Sequence, residues 1–247
     1  MSPDAILIVL FVFVALLYSS VGLGGGSSYT ALMLMFSVNY RMIPTIALTL
    51  NVVVTSLVVV NFWRQGHVDF RLIFPFVVSS VPMAYLGGAL SLSQQTFRWL
   101  LLITLVLVAV RLYAWNDASH RFTLKDRQVL ILSLVLGGIL GFVAGTVGIG
   151  GGIYLVPLMI ILGLASEKRA AATGASFIWI NSVAGLVSRA RQGSFDVDTV
   201  LPLVGAVMIG GFIGSRTGAG KLKPGTIQKA LGVVVILAIL YLVRDMV

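Results

Sequence analysis

The chain divides into ten apolar runs, each closed by a charge or by Gly/Pro punctuation. The first five are residues 5–21, 27–38, 42–63, 71–91 and 97–114; the second five are 129–147, 153–165, 170–187, 199–216 and 227–243. A helical crossing of a bilayer takes about 20 apolar residues. Backbone in lipid must satisfy its own hydrogen bonds, which leaves helices or closed barrels. Runs of this length are helices. Charged residues make up only 10% of the chain and mean hydropathy is +1.04, whereas soluble domains carry about 25% charged residues. The expected fold class is therefore all-α: a polytopic membrane protein whose main partner is the lipid bilayer. The first run lacks a basic region before it and reads as a retained helix rather than a cleaved signal.

The second run of each five is too short to cross, at about a dozen residues. It is joined to the run before it by a glycine cluster, "VGLGGG" at 21–26 and "VGIGGG" at 147–152. The clusters belong to a longer internal match. Val21, Gly22, Gly24, Gly25 and Gly26 fall on Val147, Gly148, Gly150, Gly151 and Gly152, while Gln65, Gly66, Asp69, Pro75 and Gly87 fall on Gln192, Gly193, Asp196, Pro202 and Gly214. Colinear matches of this kind indicate duplication, a common plan for transporters. The expected domains are a first transmembrane repeat (1–114), a cytoplasmic linker (115–128) and a second repeat (129–247).

Charge placement selects the parity. With an odd number of effective crossings per half and the N-terminus outside, five of the 17 Lys and Arg residues fall outside: Arg41, Arg98, Arg189, Arg191 and Arg244. The other twelve fall in the cytoplasm. With four crossings per half the split is nine to eight. The positive-inside rule favours asymmetry, hence two inverted repeats with both termini outside, in a cell inner membrane.

Three consecutive glycines interrupt a helix, at about 1 kcal/mol each in propensity. Irregular backbone at membrane depth is tolerated where it is buried in protein or lines a cavity. Each joined pair is thus a glycine-broken helix, a hairpin or two short spans near the midplane. The segment after each break presents unpaired N–H groups and the positive end of its dipole, a site for anions. In the first half it opens on Ser27 and Ser28, which suit an N-cap. Close packing of helices through small residues is the competing explanation. No Lys completes a phosphate-binding loop and no strand context supports a dinucleotide fingerprint.

Candidate substrate-binding residues are therefore Gly22, Gly24, Gly25, Gly26, Ser27 and Ser28, with Gly148, Gly150, Gly151 and Gly152. Thr49 and Asn51 from the third run join them, with Thr173, Ser176 and Asn181 from its counterpart; neutral hydroxyls and amides can bond a small oxyanion without a fixed charge. All eight acids sit at run ends or in loops, so none is placed within the membrane to hold sodium or relay protons. Candidates for gating or coupling are the loop residues Gln65, His67, Asp69, Gln192 and Asp196. The net charge of +9 is scattered through short loops, so no nucleic-acid partner is expected. With no cysteine, and with no catalytic set, metal-ligand spacing or nucleotide motif, no enzyme activity, metal or cofactor is expected.

The duplicated "VGLGGG" and "VGIGGG", the paired "RQGHVD" and "RQGSFD" loops and the stretch "EKRAAATGASF" together resemble the sulfite exporter TauE/SafE family, also described as the 4-toluene sulfonate uptake permease family. The resemblance covers nearly the whole chain. It implies a permease that moves sulfite, a small organosulfonate or another sulfur-containing anion. Thr173 and Gly174 match Leu48 and Thr49 in the first half, so it does not imply a symmetric site. Export is the leading expectation. Ion-coupled import of an organosulfonate or another anion, and a non-transporting scaffold subunit, stay open, as does assembly into a homo-oligomer.

Overall fold

A computed structural model of the protein describes residues 3–114, 126–190, 197–217 and 224–246. Residues 115–125 of the expected linker, and Gln192 and Asp196 of the second matched loop, lie outside the described residues. Each apolar run forms one helix: α1 (Pro3–Ser20), α2 (Gly26–Met35), α3 (Ile43–Arg64), α4 (Phe70–Ala89), α5 (Gln94–Ala114), α6 (Asp126–Val147), α7 (Gly152–Ile161), α8 (Glu167–Arg189), α9 (Val197–Thr217) and α10 (Pro224–Met246). Among the described residues there is no strand.

Six helices (α3, α4, α5, α6, α8 and α9) are long and apolar enough to cross a membrane. α2 and α7 have 10 residues each, about 15 Å at 1.5 Å per residue, half a bilayer core. α3 and α8 are the central helices: 61% and 67% of their apolar stretches are buried, against 33–39% for the other four. The outer helices turn large apolar side chains such as Phe74, Leu201 and Leu240 outward, where lipid takes the place of a core.

Small residues set the tightest packing. Cβ atoms added at Gly137, Gly141 and Gly145 of α6 would strike the carbonyls of Phe76, Ser80 and Ala84 on α4. The four-residue spacing places the three glycines on one face, where the backbones approach closely. Gly210 and Gly214 of α9 meet the Val12 and Leu16 carbonyls of α1 in the same way. The contact pattern follows an exchange of halves: α1 packs on α9 as α6 packs on α4, and α3 on α9 as α8 on α4.

These registers fix direction. α6 runs parallel to α4, and α1 parallel to α9. α9 ends beside the end of α3, where Asn61 Nδ2 donates to Ser215 Oγ at 2.9 Å. The structure therefore has two faces. On one lie the α2–α3 loop with Arg41, the α4–α5 loop and the end of α8 at Arg189, which line a common cavity. On the other lie the α3–α4 loop with Asp69 and the start of α8, where Arg169 pairs with Asp69. α1 starts on the Arg41 face and α2 returns to it; α6 starts on the Asp69 face and α7 returns to it. Each glycine cluster thus sits at the bend of a hairpin, and the two hairpins enter from opposite faces. A single kinked helix is ruled out by the bend itself, since Gly22 and Gly25 in one cluster and Gly148, Gly150 and Gly151 in the other have positive φ.

Candidate functional site

The bends meet at the middle of the central helices. A Cβ on Gly24 would lie 2.7 Å from Asn51 Oδ1 on α3 and 3.1 Å from Ile178 on α8. One on Gly26 would lie 2.6 Å from both Asn51 Nδ2 and the Gly148 carbonyl, and 2.8 Å from the Ile149 carbonyl. One on Gly150 would lie 2.9 Å from Ile178 and 3.0 Å from Asn51 Nδ2. At Gly26 only hydrogen fits against the two carbonyls, so the two backbones touch there, while Gly24 and Gly150 close on the Asn51 and Ile178 side chains. Ile178 is the central residue of α8, and Asn51 and Thr55 lie near the centre of α3.

Asn51 joins the halves. Fully buried, it donates from Nδ2 to the Gly148 carbonyl at 3.1 Å. Its Oδ1 has no hydrogen-bond partner among the described residues, nor do Thr45 Oγ1, Thr173 Oγ1, Asn181 Oδ1, Ser182 Oγ or the Tyr29 hydroxyl. A buried polar atom without a partner costs about 1–3 kcal/mol. Such a concentration on the central helices and α2 marks a place for water or a polar ligand.

The other expected residues are placed as follows. Gly25 and Gly151 are the N-caps of α2 and α7, both in the left-handed region. The first N–H groups of each short helix, at Gly26 and Ser27 and at Ile153, have no carbonyl a turn earlier to accept them, while the Gly152 N–H donates to the Gly150 carbonyl at 2.9 Å. Gly22 packs on Ala171, Gly148 on Ala47 and Pro44, and Gly152 on Ile178 and the Gly174 carbonyl. Asn181 donates to its own helix at the Phe177 carbonyl. Thr49 and Ser176 do the same at Thr45 and Ala172, each at 2.9 Å. The positions that match in sequence, Asn51 and Ser176, thus act differently: one bonds across the halves and the other within its helix.

Ser27 and Ser28 are not N-caps. The left-handed turn at Gly25 carries the cap, and α2 begins one residue earlier than expected. Their hydroxyls instead lie 2.7 and 3.0 Å from the Tyr18 hydroxyl of α1, pinning the two arms of the first hairpin together. At the loop, Gln65 is exposed at the end of α3 and His67 rests against Phe62, ring centroids 6.2 Å apart. Asp69 caps α4, accepting from the N–H of Arg71 and Leu72 at 3.0 and 3.3 Å. Burial alone would raise its carboxyl, but the Arg169 guanidinium and those two N–H groups hold it below the usual carboxylate range.

Two residues not expected from sequence belong to this region. Ile178 lies against both bends; an isoleucine in an apolar helix carries no signal of that role. Arg189, in the last turn of α8, is only 5% exposed and bonds the carbonyls that end α6 at Gly145 and Thr146. Its place at a helix end made it look like one more loop cation.

The family model described as "Sulfite exporter TauE/SafE" matches residues 7–242. The chain is 29% identical to the "Probable membrane transporter protein y4hK" of Sinorhizobium fredii, over 96% of this chain and 98% of that one. It is 25% identical to the "Probable membrane transporter protein YunE" of Bacillus subtilis, over 94% of each. The "Probable membrane transporter protein MJ0441" of Methanocaldococcus jannaschii is 27% identical over 74% of this chain and 71% of its own length. No solved structure matches the chain.

Proposed function

The chain belongs to the sulfite exporter TauE/SafE family of membrane transporters, and from that premise we propose that it exports a small sulfur oxyanion, sulfite or an organosulfonate. The carrying observation is the meeting of two glycine bends at Asn51, whose Oδ1 is one of several buried polar atoms on α2, α3 and α8 without a partner among the described residues. The free N–H groups that begin α2 and α7 bind the anion there without a fixed charge, and the buried hydroxyls of Thr45, Ser182 and Thr173 continue the polar path along α3 and α8 to either side. Residues 1–114 and 129–247 are the two repeats, related by inversion, with a cytoplasmic linker between them. The Asp69 face is cytoplasmic in an inner membrane, and both termini are outside.

The Asp69–Arg169 pair ties the first half to the second on the cytoplasmic face, where a cavity of about 430 Å³ is lined only by residues 66–71 and Arg169 among the described residues, while the cavity on the opposite face reaches in to Pro44 beside the second bend. This supports reading the structure as an outward-open state in which that pair closes the inner gate. His67 and Gln65 flank the gate. Ile178 separates the bends from bulk water until the halves rock.

The test is a flux panel in proteoliposomes with sulfite, sulfate, taurine and a small aromatic sulfonate. Saturable transport of sulfite or a sulfonate, lost in Gly25→Val and Gly151→Val proteins that remain folded, supports the proposal. Transport of none of these by active, folded protein overturns the substrate. Full activity in both variants removes the site from the bends.

A further inference from the structure

A cavity of about 650 Å³ opens on the Arg41 face. Its mouth is formed by exposed residues, among them Arg41, Ser91, Ser93 and Gln94, and its inner end by the buried Pro44, Thr146 and Arg189. Pro44 is also the residue against which Gly148 packs, so the inner end abuts the second bend. Among the described residues, none that lines the cavity is acidic.

Arg189 is the unusual member. A guanidinium has five N–H donors and stays protonated. Nε donates to the Gly145 carbonyl at 3.3 Å, and Nη2 to the Gly145 and Thr146 carbonyls at 3.1 and 2.9 Å. These bonds hold the group rigidly at the C-terminal end of α6 but use neutral acceptors and leave Nη1 aside. A full positive charge thus stands, nearly buried, at the inner end of a cavity whose described lining holds no carboxylate. A buried charge is expensive without a counter-ion. The chemistry that answers it is a small oxyanion, which accepts charge-assisted hydrogen bonds from the two N–H groups of Nη1; the hydroxyls and amide of Ser91, Ser93 and Gln94 add neutral donors at the mouth.

We propose that this cavity is an outer anion-binding vestibule, and that Arg189 is its recognition group, taking a sulfonate or sulfite-like oxyanion between the glycine bends and the outside. The inference deepens the reading of the chain as an anion carrier and rests on it for the identity of the cargo. It gives the path a rigidly held, buried cation, set beside the bends rather than in them. An anion leaving the bends is drawn outward to Arg189 and released past the exposed Arg41.

The chain has no cysteine, so one placed at the mouth reports on the cavity alone. Purified Ser91→Cys protein is treated with two thiol reagents of matched size, the anionic 2-sulfonatoethyl methanethiosulfonate and its cationic trimethylammonium counterpart. The sulfonate reagent should react faster, and Arg189→Gln should lower the anion-to-cation rate ratio at least about fivefold, as expected for removing a weakly screened charge. Sodium sulfate should slow the anionic reagent in the Arg189-containing protein. Arg189→Lys should keep the rate preference but lose several-fold in sulfate protection, because an ammonium cannot brace itself on both carbonyls and still aim two fixed donors at the anion. Equal rates for the two reagents, or unchanged ratio and protection in both variants, overturn the proposal. Loss of folded protein in both variants, read by size exclusion and melting, assigns Arg189 to closing α6 and also overturns it. An Arg189-dependent preference in a protein that transports none of the sulfur anions keeps the vestibule and rejects the cargo.

Discussion

Gly26→Ala is the smallest change that tests whether the two bends touch. Gly26 lies outside the left-handed region, and alanine suits the first turn of a helix, so local propensity favours the substitution. The obstacle is across the interface. The new Cβ would sit 2.6 Å from the Gly148 carbonyl and from Asn51 Nδ2, and ordinary contact begins at 3.4 Å. The bends must separate by about 0.8 Å, against backbone that cannot swing aside; such overpacking costs about 1–3 kcal/mol. The same shift stretches the Asn51–Gly148 hydrogen bond, a further ~0.5–1.5 kcal/mol. The total is about 2–4 kcal/mol. If the bends bear on one another in the transport transition, the lower figure alone slows flux about thirtyfold. The assay is initial flux in proteoliposomes beside thermal unfolding of the same preparation. Gly66→Ala is the control: its φ of +72° strains an alanine, yet no atom lies within 4 Å, so it should lose about 1–2 kcal/mol of stability and no flux. Wild-type flux and melting in Gly26→Ala would refute the contact and the reasoning built on it.

Three further outcomes follow from the packing and the gate. Gly141→Val should separate α4 from α6 and lower the yield of folded protein sharply, by ~3 kcal/mol or more, whereas Gly138→Ala, whose Cβ meets nothing closer than 3.8 Å, should be neutral by melting. Asp69 has a lowered pKa, so its contribution to stability is complete above about pH 4 and disappears only as pH falls through its lower folded-state value; wild type and Asp69→Asn should therefore show parallel flux–pH curves from pH 5 to 8, and a difference that titrates in that range would contradict the assignment. Cysteines at Gln94 and His67 should be labelled from opposite sides of intact cells, Gln94→Cys from outside and His67→Cys only after permeabilisation, and the reverse pattern would invert the topology.

The architecture was largely readable because its signals are local. Ten apolar runs gave ten helices, and three glycines in a row announced each bend before any contact was known. The twelve-to-five charge split grouped Arg41 with Arg189 and Arg71 with Arg169, and each group shares a face of the structure. The details of the site were less readable because they depend on what crosses between helices. Ser27 and Ser28 look like caps from their position, but the left-handed Gly25 ends the turn and frees their hydroxyls for Tyr18. Asn51 and Ser176 are equivalent by sequence offset, yet only Asn51 reaches the opposite bend. Ile178 and Arg189 matter through their neighbours, an apolar residue over two glycine backbones and a cation behind a cavity, and neither fact is encoded near them in the chain.

The central claim is that an oxyanion leaves through the bends without a coupling ion, and potential-clamped efflux tests it most directly. An inside-negative potential contributes about 2.3 kcal/mol per charge per 100 mV, nearly a fiftyfold concentration ratio for a monovalent anion. Proteoliposomes loaded with sulfite, or with the sulfonate that the flux panel selects, are clamped with a potassium ionophore in the absence of proton and sodium gradients. Efflux should rise steeply as the interior is made negative. Efflux indifferent to the potential and dependent on a proton or sodium gradient would contradict the account, and would move the search for the coupling group to His67, Asp69 and Asp196.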